Sequence, residues 1–259
     1  MNLGLDGKVA LVGGASRGLG RAVAEELTAE GASVAVCARD ASRLAAAAAE
    51  IGPEVLPVPA DLSVAGEPTR VVEAAVERFG RLDVVVANTG GPRAGTHETL
   101  SVDDWDRATA LLLRSTVELA GAALPGMKER AWGRILAITS VAVKQPVDNL
   151  MLSNSLRAAV TGFAATLARE VARDGITVNT ILPGYTSTER VTELNEANAR
   201  RAGLDPAEIQ ARLEASIPLG RLAEPREFAA LAAFLVSERA GYITGGAFAV
   251  DGGWLRGLF

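Results

Sequence analysis

Apolar and polar positions follow one another along the chain in two rhythms. Short, nearly unbroken apolar runs at 9–12, 34–38, 55–60, 82–87, 134–139, 177–182 and 247–250 read as strands covered on both faces. The run at 55–60 carries Pro57 and Pro59, which suit an edge or the end of a sheet. Between the runs, apolar residues recur every three or four positions. Leu19, Ala22, Val23 and Leu27 mark one helix reaching Glu30, and Leu156, Val160, Phe163, Leu167 and Val171 mark a longer one from Ser153 to about Asp174. Ser101 with Asp104 forms a capping box ahead of Trp105, while Pro206 and Pro225 follow Asp205 and Glu224 at two further helix starts. The alanines at 45–49 favour helix. Strands alternating with helices predict a three-layer α/β, doubly wound Rossmann fold: a seven-stranded parallel sheet with helices on both faces. The stretch from Thr186 to Ala215 is the most polar and least periodic, and reads as a solvated helical excursion.

Where the first strand gives way to the first helix, Gly14, Gly18 and Gly20 bracket Ser16, Arg17 and Leu19. Glycines there let the backbone bend sharply and approach a ligand, and the free N–H groups of the helix start face an anion such as a pyrophosphate. An ordinary tight turn also uses glycine, but the run at 34–38 completes a strand–helix–strand unit of dinucleotide-binding size.

The chain has 259 residues, which fits one domain spanning 1–259, and its 49% hydrophobic and 22% charged residues are globular proportions. A formal net charge of -5 argues against a nucleic-acid partner. Cys37 is the only cysteine and reads as a small buried strand residue, and His97 stands alone in a loop, so no metal site is expected. No apolar run approaches the roughly 20 residues that cross a bilayer, and no basic-then-apolar leader opens the chain, so a cytoplasmic protein without a membrane partner is expected.

The spacing Gly14-x-x-x-Gly18-x-Gly20 resembles the short-chain dehydrogenase/reductase family, although Gly13 stands where that family most often has threonine. Further matches follow in order across nearly the whole chain: Asp61-Leu62, Asn88-Thr89-Gly90, Pro183-Gly184 with Thr188, Pro218-Leu219-Gly220-Arg221 and Val250-Asp251-Gly252-Gly253. The resemblance implies a nicotinamide dinucleotide on the glycine loop, with Asp61 and Leu62 at the adenine, Asn88 and Gly90 in the cofactor-binding turn after the fourth strand, and Pro183, Gly184 and Thr188 on the nicotinamide side. It also implies a small-molecule substrate covered by a lid at about 186–217, and a homodimer or homotetramer packed through the helix at 153–174. Ala38 occupies the place of the family's NAD-selecting acid, and Arg39 follows it with Arg17 nearby. Two guanidiniums suit a 2′-phosphate, which favours NADP(H) over NAD(H), although both also read as ordinary surface residues. Asp40 either caps the next helix or weakens that preference.

The family's catalytic pattern breaks here. Its serine is present as Ser140, but Ser153 stands at the tyrosine position, Arg157 at the lysine position and Leu112 at the asparagine position. A serine hydroxyl is a far weaker acid than a phenol of pKa about 10, and shorter. Arg157 can hold ribose hydroxyls and supply positive potential, yet it does not exchange protons as lysine does. Tyr185, after Pro183-Gly184, is a substitute acid or a packing aromatic. Three readings stay open. One is an NADP(H)-dependent oxidoreductase of a carbonyl or hydroxyl compound, its proton coming from Tyr185, water or the substrate. Another is a catalytically inactive NADP(H)-binding sensor or oligomer partner. The third is elimination or hydration in the same cleft.

Overall fold

The computed structural model describes residues 2–258. Its centre is a sheet of seven parallel strands: β1 (Val9–Gly13), β2 (Ser33–Ala38), β3 (Leu56–Pro59), β4 (Val84–Ala87), β5 (Gly133–Ile138), β6 (Ile176–Pro183) and β7 (Ala247–Val250), in the order β3-β2-β1-β4-β5-β6-β7. All seven apolar runs are therefore strands, with ends within a residue or two of those expected. The two prolines fall on β3, which is an edge. Strands β1, β4 and β5 are buried along their whole length because helices cover both faces.

One face is packed by α1 (Gly18–Ala29), α2 (Ala41–Ile51) and α9 (Pro225–Leu235), whose Val23, Leu27, Leu44 and Phe228 meet Val12, Val34 and Val86 of the sheet. The other is packed by α3 (Glu67–Phe79), α5 (Ser115–Glu129) and α6 (Met151–Val171), through Val71, Leu119, Met127, Val160 and Leu167. The long helix thus begins two residues before Ser153 and hands over to a 3-10 turn, Ala172–Asp174. The expected capping box closes α4 (Val102–Thr109): Asp104 N–H donates to Ser101 Oγ at 3.2 Å and Ser101 N–H donates back to Asp104 Oδ2 at 3.0 Å.

The polar excursion folds as a helical pair, α7 (Glu189–Ala202) and α8 (Pro206–Ser216). Between α4 and α5 the chain passes through a π-helical turn, Ala110–Arg114, which apolar periodicity does not reveal. The wider turn leaves carbonyls for side chains to satisfy, and the hydroxyls of Ser115 and Thr116 donate to Leu111 O and Leu112 O. Strand order reverses between β1 and β4, so the crevice beyond their C-terminal ends is where an open sheet of this kind receives ligands.

Candidate active site

A cavity of about 600 Å³ opens at that crevice. Gly14, Ser16, Arg17, Gly18, Leu19 and Gly20 form one wall, Arg39, Asp61 and Leu62 the next, and Asn88 and Gly90 the floor. Ser140, Ser153, Arg157, Pro183, Gly184, Tyr185 and Thr188 line the far end. Every candidate residue therefore lines a single space. The nucleotide end and the catalytic end are continuous.

The glycine loop has the conformation the spacing requires. Gly14 and Gly18 sit at φ 58° and 59°, where a side chain is strained. A Cβ on Gly20 would lie 2.4 Å from Gly14 O and 2.8 Å from Asn88 Nδ2, so the helix start packs directly on the turn. Asn88 Nδ2 in turn donates to Gly13 O at 3.0 Å and ties β4 to β1. A Cβ on Gly13 would lie 2.4 Å from Asn88 O, which accounts for glycine at the place where threonine is commoner.

The wall beyond the end of β2 and the glycine loop carries three guanidiniums, Arg17, Arg39 and Arg43. Asp40 caps α2, accepting from Arg43 N–H at 3.0 Å and Ser42 Oγ at 2.9 Å, which settles its role as a cap. Arg43 was not foreseen: it sits four positions after Arg39 in the first turn of α2, and that spacing is the signal that returns it to the pocket. Helix α7 reaches the same place. Arg17 Nη1 donates to the Glu189 carboxylate and to Glu193 Oε1 at 3.3 Å, and Arg43 Nη1 lies 3.5 Å from Glu189 Oε2. The hydrogen bond to Arg17 is the main cause that holds Glu189 below its ordinary value.

Cys37 lies in the wall, but it is buried, and loss of hydration pushes its thiol up to about 12. It is a packing residue.

At the catalytic end Ser140 Oγ accepts from Ala142 N–H at 3.1 Å, which turns the chain after β5 and sets the hydroxyl on the cavity wall. Ser153 is 8% exposed and its hydroxyl makes no hydrogen bond among the described residues. Arg157, one helical turn on, donates from Nη1 to Ile138 O at 2.8 Å and has no carboxylate within salt-bridge distance among the described residues. Burial first, and the like charge of Arg190 second, hold its pKa down to about 10. A desolvated cation without a counter-ion is costly, and such groups gather at functional sites.

Tyr185 packs edge-on against Trp254, with ring centroids 5.6 Å apart. Burial, then the nearby Asp148 charge, raise its pKa, the opposite of the shift an acid catalyst needs. Leu112 fills a small apolar cluster with Ala108, Leu152 and Leu156, and turns away from the cavity that Leu111 lines.

Loops hold the rest of the wall. Asn154 Nδ2 donates to Val147 O at 3.0 Å, and Gly95 N–H donates to Asn149 O at 2.8 Å, so Val147 and Leu150 are pinned against the opening. Of the apolar residues in and after α7, Val191 and Leu194 line the cavity, whereas Leu204 lies outside it at the turn between α7 and α8. Arg190 Nη2 donates to Pro92 O at 3.2 Å and fastens α7 to the loop after β4.

A family model described as enoyl-(acyl carrier protein) reductase matches residues 14–255. The chain is an oxidoreductase of the short-chain dehydrogenase/reductase family. It is 36% identical over 248 residues to the short-chain reductase protein NovJ of Streptomyces niveus, covering 95% of this chain and 93% of the relative. It is 36% identical over 251 residues to the 3-oxoacyl-[acyl-carrier-protein] reductase FabG of Vibrio cholerae, covering 97% and 98%. Among solved structures, the L-sorbose reductase of Gluconobacter frateurii complexed with NADPH and L-sorbose superposes with a TM-score of 0.94 at 35% identity, covering 100% of both chains. The likeness in fold thus extends over the whole chain. No helix among the described residues is long and apolar enough to cross a membrane.

Proposed function

We propose that this short-chain dehydrogenase/reductase uses NADP(H) to interconvert a small carbonyl compound and its alcohol through an altered proton-transfer site. The observation that carries the reading is Arg157: a half-buried guanidinium, bonded to one backbone carbonyl and to no acid among the described residues, in the wall of the cavity that the glycine loop opens. Such a charge is well placed for an oxygen that turns negative during reaction.

The residues present fit the cofactor. Gly14, Gly18 and Gly20 leave a cradle that side chains would fill, Arg17 and Arg39 stand at the 2′-phosphate end, and the buried hydroxyls of Thr139 and Thr186 lie in the wall with no partner among the described residues. Asp61 and Leu62 flank the adenine, and Pro183, Gly184 and Thr188 border the nicotinamide. The cofactor supplies the hydride that the carbonyl carbon receives. Ser140 orients the carbonyl by hydrogen bonding, and Arg157 stabilises the oxyanion and holds the ribose hydroxyls. Ser153 leaves room for water, which delivers the proton to the oxygen and regains one from bulk solvent through the open cavity; Arg157 stays protonated throughout. Val147, Leu150, Val191 and Leu194 give the substrate an apolar surround.

Subunits pair through α6, whose outward positions Ser155, Ala158, Ala159 and Gly162 are small and exposed, in a homodimer or homotetramer. The second reading, a nucleotide-binding protein without turnover, is favoured by the absence of a phenol at position 153. One assay separates the two. Purified protein is expected to consume NADPH, followed by its absorbance, with at least one member of a panel of ketones, quinones and enones; tight binding with no turnover on any of them selects the second reading.

Two variants refine the site. Tyr185→Phe is expected to keep kcat within about twofold, because its raised pKa unfits it as the acid; a loss of about 10²-fold or more, the usual scale of general acid catalysis, would restore Tyr185 to that role. Gly20→Ala is expected to weaken NADPH at least about tenfold in a fluorescence titration, since the new methyl displaces the turn whose N–H groups meet the pyrophosphate, each charged bond being worth roughly 1.5–3 kcal/mol.

A further inference from the structure

We infer that Arg43 completes, with Arg17 and Arg39, a site for the 2′-phosphate of the dinucleotide, and that Glu189 of the lid occupies this site as a competitor which the phosphate must displace. The inference rests on the NADP(H) reading and assigns two residues that the reading does not use.

The geometry is specific. One carboxylate oxygen of Glu189 is hydrogen-bonded to Arg17 Nη1 and lies 3.5 Å from Arg43 Nη1, so a single anionic atom bridges two guanidiniums from different elements. Glu193, one turn further along α7, reaches Arg17 at 3.3 Å. Arg17, Arg39, Arg43, Glu189 and Glu193 all line the cavity. The ion pairs are not demanded by burial: the side chains of Arg17, Arg43 and Glu189 are 43%, 51% and 57% exposed, and water would serve each of them. Exposed pairs of this kind add little to stability, so their arrangement at the cavity mouth is better explained by what else the arginines can bind. A phosphate monoester offers the same guanidiniums more oxygens and more charge than a carboxylate does.

Two consequences follow. The 2′-phosphate meets a site already held by an anion, and part of its affinity is spent on expelling Glu189. Expulsion also frees the first turn of α7 from the glycine loop, where the Thr188 methyl stands 3.7 Å from the position of a Gly18 Cβ. The phosphate and the lid are thereby linked, and by reciprocity whatever holds the lid open favours the phosphate.

The test uses the full chain and two nucleotides that carry no nicotinamide, 2′,5′-ADP and 5′-AMP, in isothermal titration calorimetry. Glu189→Gln is expected to tighten 2′,5′-ADP by about three- to tenfold, and Arg43→Gln to weaken it by about tenfold, the scale of one charged hydrogen bond, with 5′-AMP changed less than about twofold in either variant. Limited proteolysis supplies a second readout: 2′,5′-ADP accelerates cleavage within the lid of the unmodified protein, 5′-AMP does not, and Glu189→Gln is cleaved fast without any nucleotide. If 2′,5′-ADP binds more tightly than 5′-AMP but neither variant alters its affinity, the inference falls and the cofactor reading stands. If the unmodified protein binds both nucleotides equally, the NADP(H) reading itself falls, and this inference with it.

Discussion

Replacing Arg157 with methionine is expected to lower kcat/KM for carbonyl reduction by about 10²–10³-fold, the usual loss when an oxyanion donor is removed, while making the folded protein more stable. The two effects have one cause. Arg157 lines the cavity with Ser153, and the only hydrogen-bond partner of its guanidinium among the described residues is the Ile138 carbonyl at 2.8 Å. Loss of hydration, reinforced by the Arg190 charge, brings its pKa from the ordinary guanidinium range down to about 10, which corresponds to about 3 kcal/mol against the charged form in the folded state. Methionine occupies the channel of the arginine stem without a charge. Leaving the Ile138 carbonyl unpaired costs about 1 kcal/mol or more, so a net gain of about 1–2 kcal/mol is expected in urea unfolding, with a higher Tm. A variant that loses activity and stability together would show that the guanidinium is a structural tie instead of a charge kept for the reaction.

Leu112→Asn is expected to do the opposite of what restoring a family residue usually does. It should destabilise the protein by about 3–5 kcal/mol, by emptying apolar volume and burying an amide, and should bring no increase in rate. Leu112 is 3% exposed and packs on Ala108, Leu152 and Leu156. An asparagine there would meet methyl groups, and the neighbouring carbonyls of Leu111 and Leu112 already accept from Ser115 and Thr116. Position 112 is therefore core, and the π-helical turn forms with a leucine in it. Urea midpoints measured beside the steady-state rate of the same variant decide the matter. Near-normal stability with faster turnover would show that an amide still fits.

The architecture was legible because it depends on burial. A strand covered on both faces needs an unbroken apolar run, and the runs along the sequence became strands in register, with Pro57 and Pro59 confined to the edge strand where a missing N–H matters least. The glycine loop was legible for a steric reason, since only glycine tolerates the approach of Gly14 O to Gly20. Side-chain pairings that join distant segments were not. Glu189 is 172 positions from the Arg17 that it meets, and no local pattern records that meeting. The π turn escaped as well, because one extra residue per turn leaves hydrophobic spacing almost unchanged over a single turn. Arg157 was legible as a residue type but not as a half-buried charge with no counter-ion among the described residues, because a missing carboxylate cannot be inferred from a sequence rich in them.

The sealed position of Cys37 gives the protein a built-in gauge of its own integrity. The chain's single thiol lies in β2 with its ionisation pushed up to about 12, so a maleimide or disulfide reagent reacts only when the sheet opens. Labelling rates in denaturant would then report the opening of the central sheet without any engineered probe, and preparations handled in air should stay free of cross-linked dimers for as long as they remain folded.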